Sequence, residues 1–152
     1  MRINISDKKI FMKAMQNSYT NIASKEYNGI SIDSREIKQG DIFLALKGDV
    51  VDGHNYITDA CLSGAALCIS EKECYDASMP IFTVQSTRTF LTNVVSSYRK
   101  HLKFPFIGIT GSNGKTTTKD ILSKILSSTY TTCSTTGNFN NHIGVPLTIL
   151  SI

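Results

Sequence analysis

The sequence predicts an α/β fold: a small N-terminal α/β domain over residues 1–103, then over 104–152 the first strand, loop and helix of a P-loop ATPase-type central domain. Three observations predict it. Short apolar runs suited to strands alternate with amphipathic stretches suited to helices. The basic, polar patch Arg99-Lys100-His101 and the break at Pro105 mark a boundary between the two parts. Beyond it, a glycine-rich turn ending in Gly-Lys-Thr joins the apolar run 104–109 to a segment with Ile121, Leu122, Ile125 and Leu126 at helical spacing.

In chain order, Ser6 or Asp7 is placed to cap a short helix whose apolar face is Ile10, Phe11, Ala14 and Met15. Residues 17–28 are polar and read as a loop. Ile30 and Ile32 alternate with Ser31 and Asp33, giving a short strand from Gly29. The turn Gln39-Gly40-Asp41 leads to a strongly apolar strand at 42–46. After the loop 47–54, a helix starts near Asn55, carries Tyr56, Ile57, Ala60 and Cys61 on one face, and stops near Gly64. Residues 65–69 and 81–84 read as buried strands. Thr87 is expected to cap a long helix with Phe90, Leu91, Val94, Val95 and Tyr98 inward.

Composition sets bounds. At 41% hydrophobic and 18% charged residues, the chain has enough apolar side chains for a core. The formal charge of +4 is mild and forms no basic stripe, so nucleic acid is not an expected partner. Cys61, Cys68, Cys74 and Cys133 lack C-x-x-C spacing and matching histidines, so they predict no zinc site; Cys61 and Cys68 read as small buried hydrophobes. The N-terminus has no apolar run of signal-peptide type, and no segment approaches 18 consecutive apolar residues, so membrane insertion is not expected and the cytoplasm is the expected compartment. His101 and His142 have no partner in sequence that suggests a nucleophilic triad, and Ser112 is not in a G-x-S-x-G elbow.

The strongest chemical signal is the run Gly108 to Thr118. Glycines let main-chain N–H groups turn inward onto phosphate oxygens, and the following helix start adds its positive dipole end. Gly111, Ser112, Asn113, Gly114, Lys115, Thr116 and Thr117 form the candidate ATP site. Lys115 and Thr116 are its catalytic candidates: the ammonium would reach the β- and γ-phosphates, and the Thr116 hydroxyl would hold Mg²⁺. The spacing is G-x-x-G-x-x-G-K-T rather than the usual G-x-x-x-x-G-K-[ST]. After Lys115 the only acidic residue is Asp120, one turn into the helix, where it cannot serve as the strand-borne carboxylate of a Mg²⁺ site. One strand and one helix are also too little for a doubly wound sheet. The chain is therefore expected to be the N-terminal part of a longer enzyme. The apolar residues Ile121, Ile125, Val145 and Ile149 are expected to form an exposed face.

Two further constellations carry alternatives. Ser34 and Arg35, following a strand, suit a phosphate or ribose, since arginine offers a planar bidentate fork; Asp33-Arg35 equally reads as a surface ion pair. His54, in Asp52-Gly53-His54, reads equally as a helix-start histidine bonded locally. The loop 135–146, with Asn138, Asn140 and Asn141, is rich in amide donors and acceptors, and it also reads as a plain turn into a helix with Pro146 in its first turn.

Taken together, Gly108 to Thr117 resembles the ATP loop of the Mur ligases, which carry this glycine spacing. Asp33-Ser34-Arg35, residues 40–48, Asp52-Gly53-His54 and Gly64-Ala65 resemble that family's N-terminal UDP-binding domain. The loop 137–148 is similar to the branch that adds D-alanyl-D-alanine, more than to the branch that adds lysine or diaminopimelate. The resemblance implies a peptidoglycan-precursor ligase with ATP and Mg²⁺ as cofactors and UDP-MurNAc-peptide and D-Ala-D-Ala as substrates. In such an enzyme ATP phosphorylates the peptide's terminal carboxylate, and the incoming amine attacks the acyl phosphate. It further implies that Ser34 and Arg35 lie in the UDP region and Asn138, Asn140 and Asn141 near the acceptor peptide or nucleotide. The family's Mg²⁺ glutamate and carbamylated lysine have no counterpart here, so residues 1–152 alone are expected to be inactive. A ligase adding lysine or diaminopimelate, and a non-catalytic UDP-sugar or nucleotide-binding module, are the alternative readings.

Overall fold

The alternating strands and helices fold into one five-stranded sheet with helices on both faces. The structure, a computed structural model, describes residues 1–22, 25–73, 78–135 and 141–152. The strands β1 (Arg2–Asn4), β2 (Gly29–Ser31), β3 (Ile42–Leu44), β4 (Leu67–Ser70) and β5 (Ile81–Thr83) lie in sequence order across the sheet. β2 to β5 are parallel, and β1 runs antiparallel along the edge of β2.

Side chains alternate across each strand, so the sheet has two cores. Ile42 and Leu44 of β3 and Leu67 and Ile69 of β4 meet α1 (Lys8–Ser18) and α3 (Thr87–Arg99) on one face. Phe43 and Cys68 meet Ile57 and Ala60 of α2 (Ile57–Leu62) on the other. The expected inward residues of α1 and α3 are buried except Ile10, which is half-buried at the edge of the core, and Asp7 caps α1 by accepting the Ile10 N–H at 2.9 Å. The cap of α3 is Ser86, not Thr87: Ser86 Oγ accepts the Thr89 N–H, while the Thr87 hydroxyl is buried and donates to the Ala45 carbonyl. Cys68 is fully buried, whereas Cys61 is half-buried with Sγ 3.2 Å from Ser78 Oγ; Cys74 lies outside the described residues. The region 17–28 is less loop-like than its polarity suggests, because α1 continues to Ser18 and Ile22 and Tyr27 enter the core.

β1 has no alternation to reveal it; tertiary contacts hold it. The Arg2 guanidinium forks onto the fully buried Asp41, Nε at 2.5 Å and Nη2 at 2.9 Å, and the Lys38 N–H completes that carboxylate's bonding. The fork also fixes the residue beneath it. A Cβ on Gly29 would stand 2.9 Å from both Arg2 Nη2 and Asp41 Oδ1.

Residues 104–109 form no strand. A strand exists only through its ladder, and no described segment pairs with this run; Ile107 and Phe104 are exposed. Phe106 instead lies under the Arg99 guanidinium, 3.6 Å from ring centre to Cζ, and stacks on Phe104. The helix after the glycine loop does form, as α4 (Lys115–Leu126), with Ile121 and Ile125 exposed as expected. Ile149 departs from that expectation. It belongs to α5 (Gly144–Leu150), which docks on α3 and β1 with Leu147 and Leu150 fully buried and Ile149 packed beside them. Ser6 N–H donates to the Leu150 carbonyl, and the Tyr98 hydroxyl bridges the Asp7 N–H and the Ile152 carbonyl. Among the described residues no helix is long and apolar enough to cross a membrane.

Candidate functional site

The glycine loop has the backbone that its sequence requires. Gly111 (φ 150°) and Gly114 (φ 76°) both adopt positive φ, which side chains oppose. Gly114 occupies the cap position of α4, and no side chain caps the helix's first turn, so its leading N–H groups are available to an outside acceptor. Lys115 Nζ folds back over the loop, donating to Gly111 O at 2.5 Å and Ser112 O at 3.3 Å. Ser112, Asn113, Thr116 and Thr117 are exposed. Positive-φ glycines, an uncapped helix start and an ammonium group fit the phosphates of a nucleotide. For Mg²⁺ the loop offers the Thr116 hydroxyl, and among the described residues no group of three or more His, Cys, Asp or Glu could hold a metal ion.

A second set gathers at the carboxyl ends of the parallel strands, the edge where open α/β sheets take ligands. Ser31 and Ser70, the last residues of β2 and β4, are both fully buried and close the same local turn. Each hydroxyl donates to the carbonyl two residues on and accepts that residue's N–H. The chain leaving β2 enters a 3-10 turn, Ser34–Glu36, and the chain leaving β3 enters another, Gly53–Tyr56. Asp33 Oδ1 accepts the Arg35 N–H, and the Arg35 guanidinium grips the same carboxylate through Nε (2.9 Å) and Nη2 (2.6 Å). Asp52 Oδ1 accepts the His54 N–H and lies 2.5 Å from His54 Nδ1. The Arg35 guanidinium holds the Asp33 carboxyl down at about 2. The His54 ring, followed by the Lys72 ammonium, holds Asp52 well below the usual carboxylate range. Arg35 is 86% exposed, while Ser34 is buried. The Ser34 turn packs against α2, which continues directly from the His54 turn.

Of the three candidate asparagines, Asn138 and Asn140 lie outside the described residues. Asn141 is exposed, and its Oδ1 accepts the N–H groups of Ile143 and Gly144, starting α5, with Pro146 in the first turn as expected. Upstream, Lys119 of α4 donates to the Thr135 carbonyl at 2.7 Å and pairs with Asp120. No hydrogen bond or ion pair among the described residues joins the Ser34-Arg35 turn to the glycine loop. An open cavity of about 380 Å³, bordered by Arg2, Ile3, Glu36, Cys133, Ser134 and Thr148, lies beside β1 and takes no lining from Arg35 or the glycine loop. Sequence reasoning missed Ser31, Ser70, Glu71, Lys72 and Lys119, whose relevant partners are set by the fold rather than by a motif.

The family model described as Mur ligase family, catalytic domain, matches residues 26–109, and the Mur ligase middle domain matches 109–152. The chain is 39% identical over 132 residues to the UDP-N-acetylmuramoyl-tripeptide–D-alanyl-D-alanine ligase of Bacillus subtilis, covering 82% of this chain and 28% of that protein. It is 34% identical over 154 residues to the ligase of the same description from Synechocystis, covering 99% of this chain and 34% of that protein. A crystal structure of MurF from Acinetobacter baumannii superposes on all of this chain and 33% of its own, with a TM-score of 0.83 and 35% identity. The chain thus spans about a third of the length of the relatives it matches.

Proposed function

The chain belongs to the Mur ligase family, and from that premise we propose that it supplies the UDP-substrate-binding unit (1–103) and the start of the ATP-binding unit (104–152) of a ligase joining D-alanyl-D-alanine to UDP-N-acetylmuramoyl-tripeptide. The observation that carries the reading is the loop 111–116, with its positive-φ glycines, uncapped helix start and Lys115 poised over the loop carbonyls. The relatives named for that ligation add the substrate class.

In this reading Lys115 exchanges the carbonyl oxygens of Gly111 and Ser112 for β- and γ-phosphate oxygens, and the first N–H groups of α4 take up the remaining charge. Mg²⁺, when bound at the Thr116 hydroxyl, supplies further neutralisation of the phosphates. Charge neutralised there lets the peptide's terminal carboxylate oxygen attack the γ-phosphorus, with ADP leaving. The amine of D-alanyl-D-alanine then attacks the acyl carbon, phosphate leaves, and the amine's proton is lost to solvent. Arg35 and the Ser34 turn hold the UDP end, and Asn138, Asn140 and Asn141 belong to the acceptor side. The work takes place in the cytoplasm, where ATP and the nucleotide-linked precursor occur.

Expressed from its complete reading frame, the protein is expected to release phosphate from ATP only when UDP-muramoyl-tripeptide and D-alanyl-D-alanine are both present, and Lys115→Ala is expected to abolish that release. Turnover retained by Lys115→Ala overturns the loop assignment; lysine or diaminopimelate replacing the dipeptide overturns the substrate. Residues 1–152 alone are expected to bind UDP weakly and Mg·ATP hardly at all, read by calorimetry.

A further inference from the structure

We propose that His54 is a positioning residue for the ligand site at the carboxyl edge of the sheet, locking the loop after β3 in the place from which it meets a uridine nucleotide. The proposal rests on the reading that this edge takes the UDP moiety.

The His54 side chain is only 3% exposed, and both ring nitrogens are engaged. Nε2 lies 3.0 Å from the main-chain N of Glu71, which can only donate, so Nε2 must offer its lone pair. The ring proton then sits on Nδ1 and donates to Asp52. The imidazole therefore spans from the loop after β3 to the end of β4 in one defined tautomer.

From Glu71 the bonding continues into α3 and back to β3. Glu71 Oε1 accepts the Thr87 N–H at 2.9 Å, the Thr87 hydroxyl donates to the Ala45 carbonyl, and Arg88 donates to the Lys47 carbonyl. Lys72 Nζ closes on Asp52 Oδ2 at 3.0 Å. Among the described residues, few other bonds hold the loop that these enclose. Its own main-chain bonds are Gly48 N–H to Val51 O and Gly53 N–H to Leu46 O, and Val50 at its tip is 95% exposed. Burial fixes the loop only at Gly53; over the exposed stretch 47–51 it does not, and the polar ring does, with His54 the member joining two strand ends. Arg35 stands exposed on the neighbouring turn, which packs against the helix that follows His54. A nucleotide gripped by Arg35 would reach a surface whose position His54 sets.

The experiment uses residues 1–152 and UDP as the probe. Imidazole ¹⁵N spectra should show His54 protonated on Nδ1 with Nε2 bare; a proton on Nε2 overturns the geometry. By calorimetry His54→Phe, which keeps the ring and loses both nitrogens, should weaken UDP binding about tenfold, a change of roughly 1.4 kcal/mol. His54→Gln, whose amide can donate to Asp52 and accept from Glu71, should recover most of that loss. Wild-type affinity in the Phe variant, or no recovery in the Gln variant, overturns the proposal. If the wild-type chain binds no UDP, the UDP reading is what has failed. Amide exchange then decides the positioning: faster exchange at Gly48 and Gly53 in His54→Phe, restored in His54→Gln, upholds it, and unchanged exchange overturns it.

Discussion

Asp33-Ser34-Arg35 and Asp52-Gly53-His54 are built on one plan at the ends of neighbouring parallel strands. In each, an aspartate accepts the N–H of the residue two positions on and also holds that residue's side chain, and a 3-10 turn follows. Their surroundings separate them. Arg35 faces water with one fork spent on Asp33, so among the described residues nothing occupies its remaining donor edge. His54 is buried, with its second nitrogen committed to Glu71. The middle residues differ likewise: Ser34 has room for a side chain, and Gly53 does not. One local motif thus leaves its third side chain in water at Arg35 and locks it against the sheet at His54, which suits the first to the proposed recognition of UDP and the second to the proposed positioning.

The two turns differ most at the middle residue. A Cβ on Gly53 would stand 2.8 Å from both Leu46 N and Leu46 O, main-chain atoms that cannot step aside. Gly53→Ala should cost about 3 kcal/mol, the upper part of the overpacking range, whereas Ser34→Ala, which removes one atom and adds none, should cost roughly 1 kcal/mol or less. Urea midpoints measure both, and equal midpoints would mean that the two turns are not differently packed. At the third residue, His54→Ala removes the bonds to both Asp52 and Glu71 and should cost about 1–2 kcal/mol, as for two hydrogen bonds whose partners water can reach. Arg35→Ala should stay within about 1 kcal/mol in stability and show its effect in UDP affinity instead.

Acid acts on the Asp33 turn through its carboxyl. Asp33 is held at about 2 against an ordinary 3.8, so its folded form binds its proton later than the unfolded chain does. Its contribution to stability is complete above 3.8 and is lost as pH falls through about 2. Arg35→Ala should move the Asp33 carboxyl back toward 3.8, followed by carboxyl NMR; a carboxyl that stays near 2 would assign the depression to something other than Arg35. The smallest effect is expected from Lys72→Met. Its exposed ion pair with Asp52 should be worth less than about 1 kcal/mol and fade as salt is added, which denaturation at two ionic strengths reads directly.

The sequence disclosed what periodicity and turn chemistry can carry. The inward faces of α1 and α3 and the strands β3 and β4 follow from spacing alone, and Asp7 announced its cap. β1 stayed hidden because three residues with a charge among them make no pattern, and its strength comes from Arg2 meeting Asp41, 39 positions away. The apolar run 104–109 misled for the opposite reason: hydrophobicity proposes a strand, but only a neighbour's N–H and C=O groups make one. In the candidate site, the placing of Lys115 at a glycine loop and of Arg35 on a turn after a strand was legible because both patterns are local. Glu71, Lys72 and Lys119 were not, since each gains its partner through the fold.

The docking of α5 has a consequence for how the polypeptide is made. Every strand of the sheet, and α1 and α3, precedes residue 104, yet the apolar surface of α3 and β1 is finished only by Leu147 and Leu150. During synthesis that surface waits, wet, while residues 104–143 are added, and only then does Ser6 meet the Leu150 carbonyl. The glycine loop and α4 are thus spun out as a tether anchored at both ends on an earlier fold, with the closure entropy of a long loop to overcome. A nascent chain stalled before residue 144 would carry a nearly complete sheet with one open apolar flank, the form most exposed to aggregation and to chaperones.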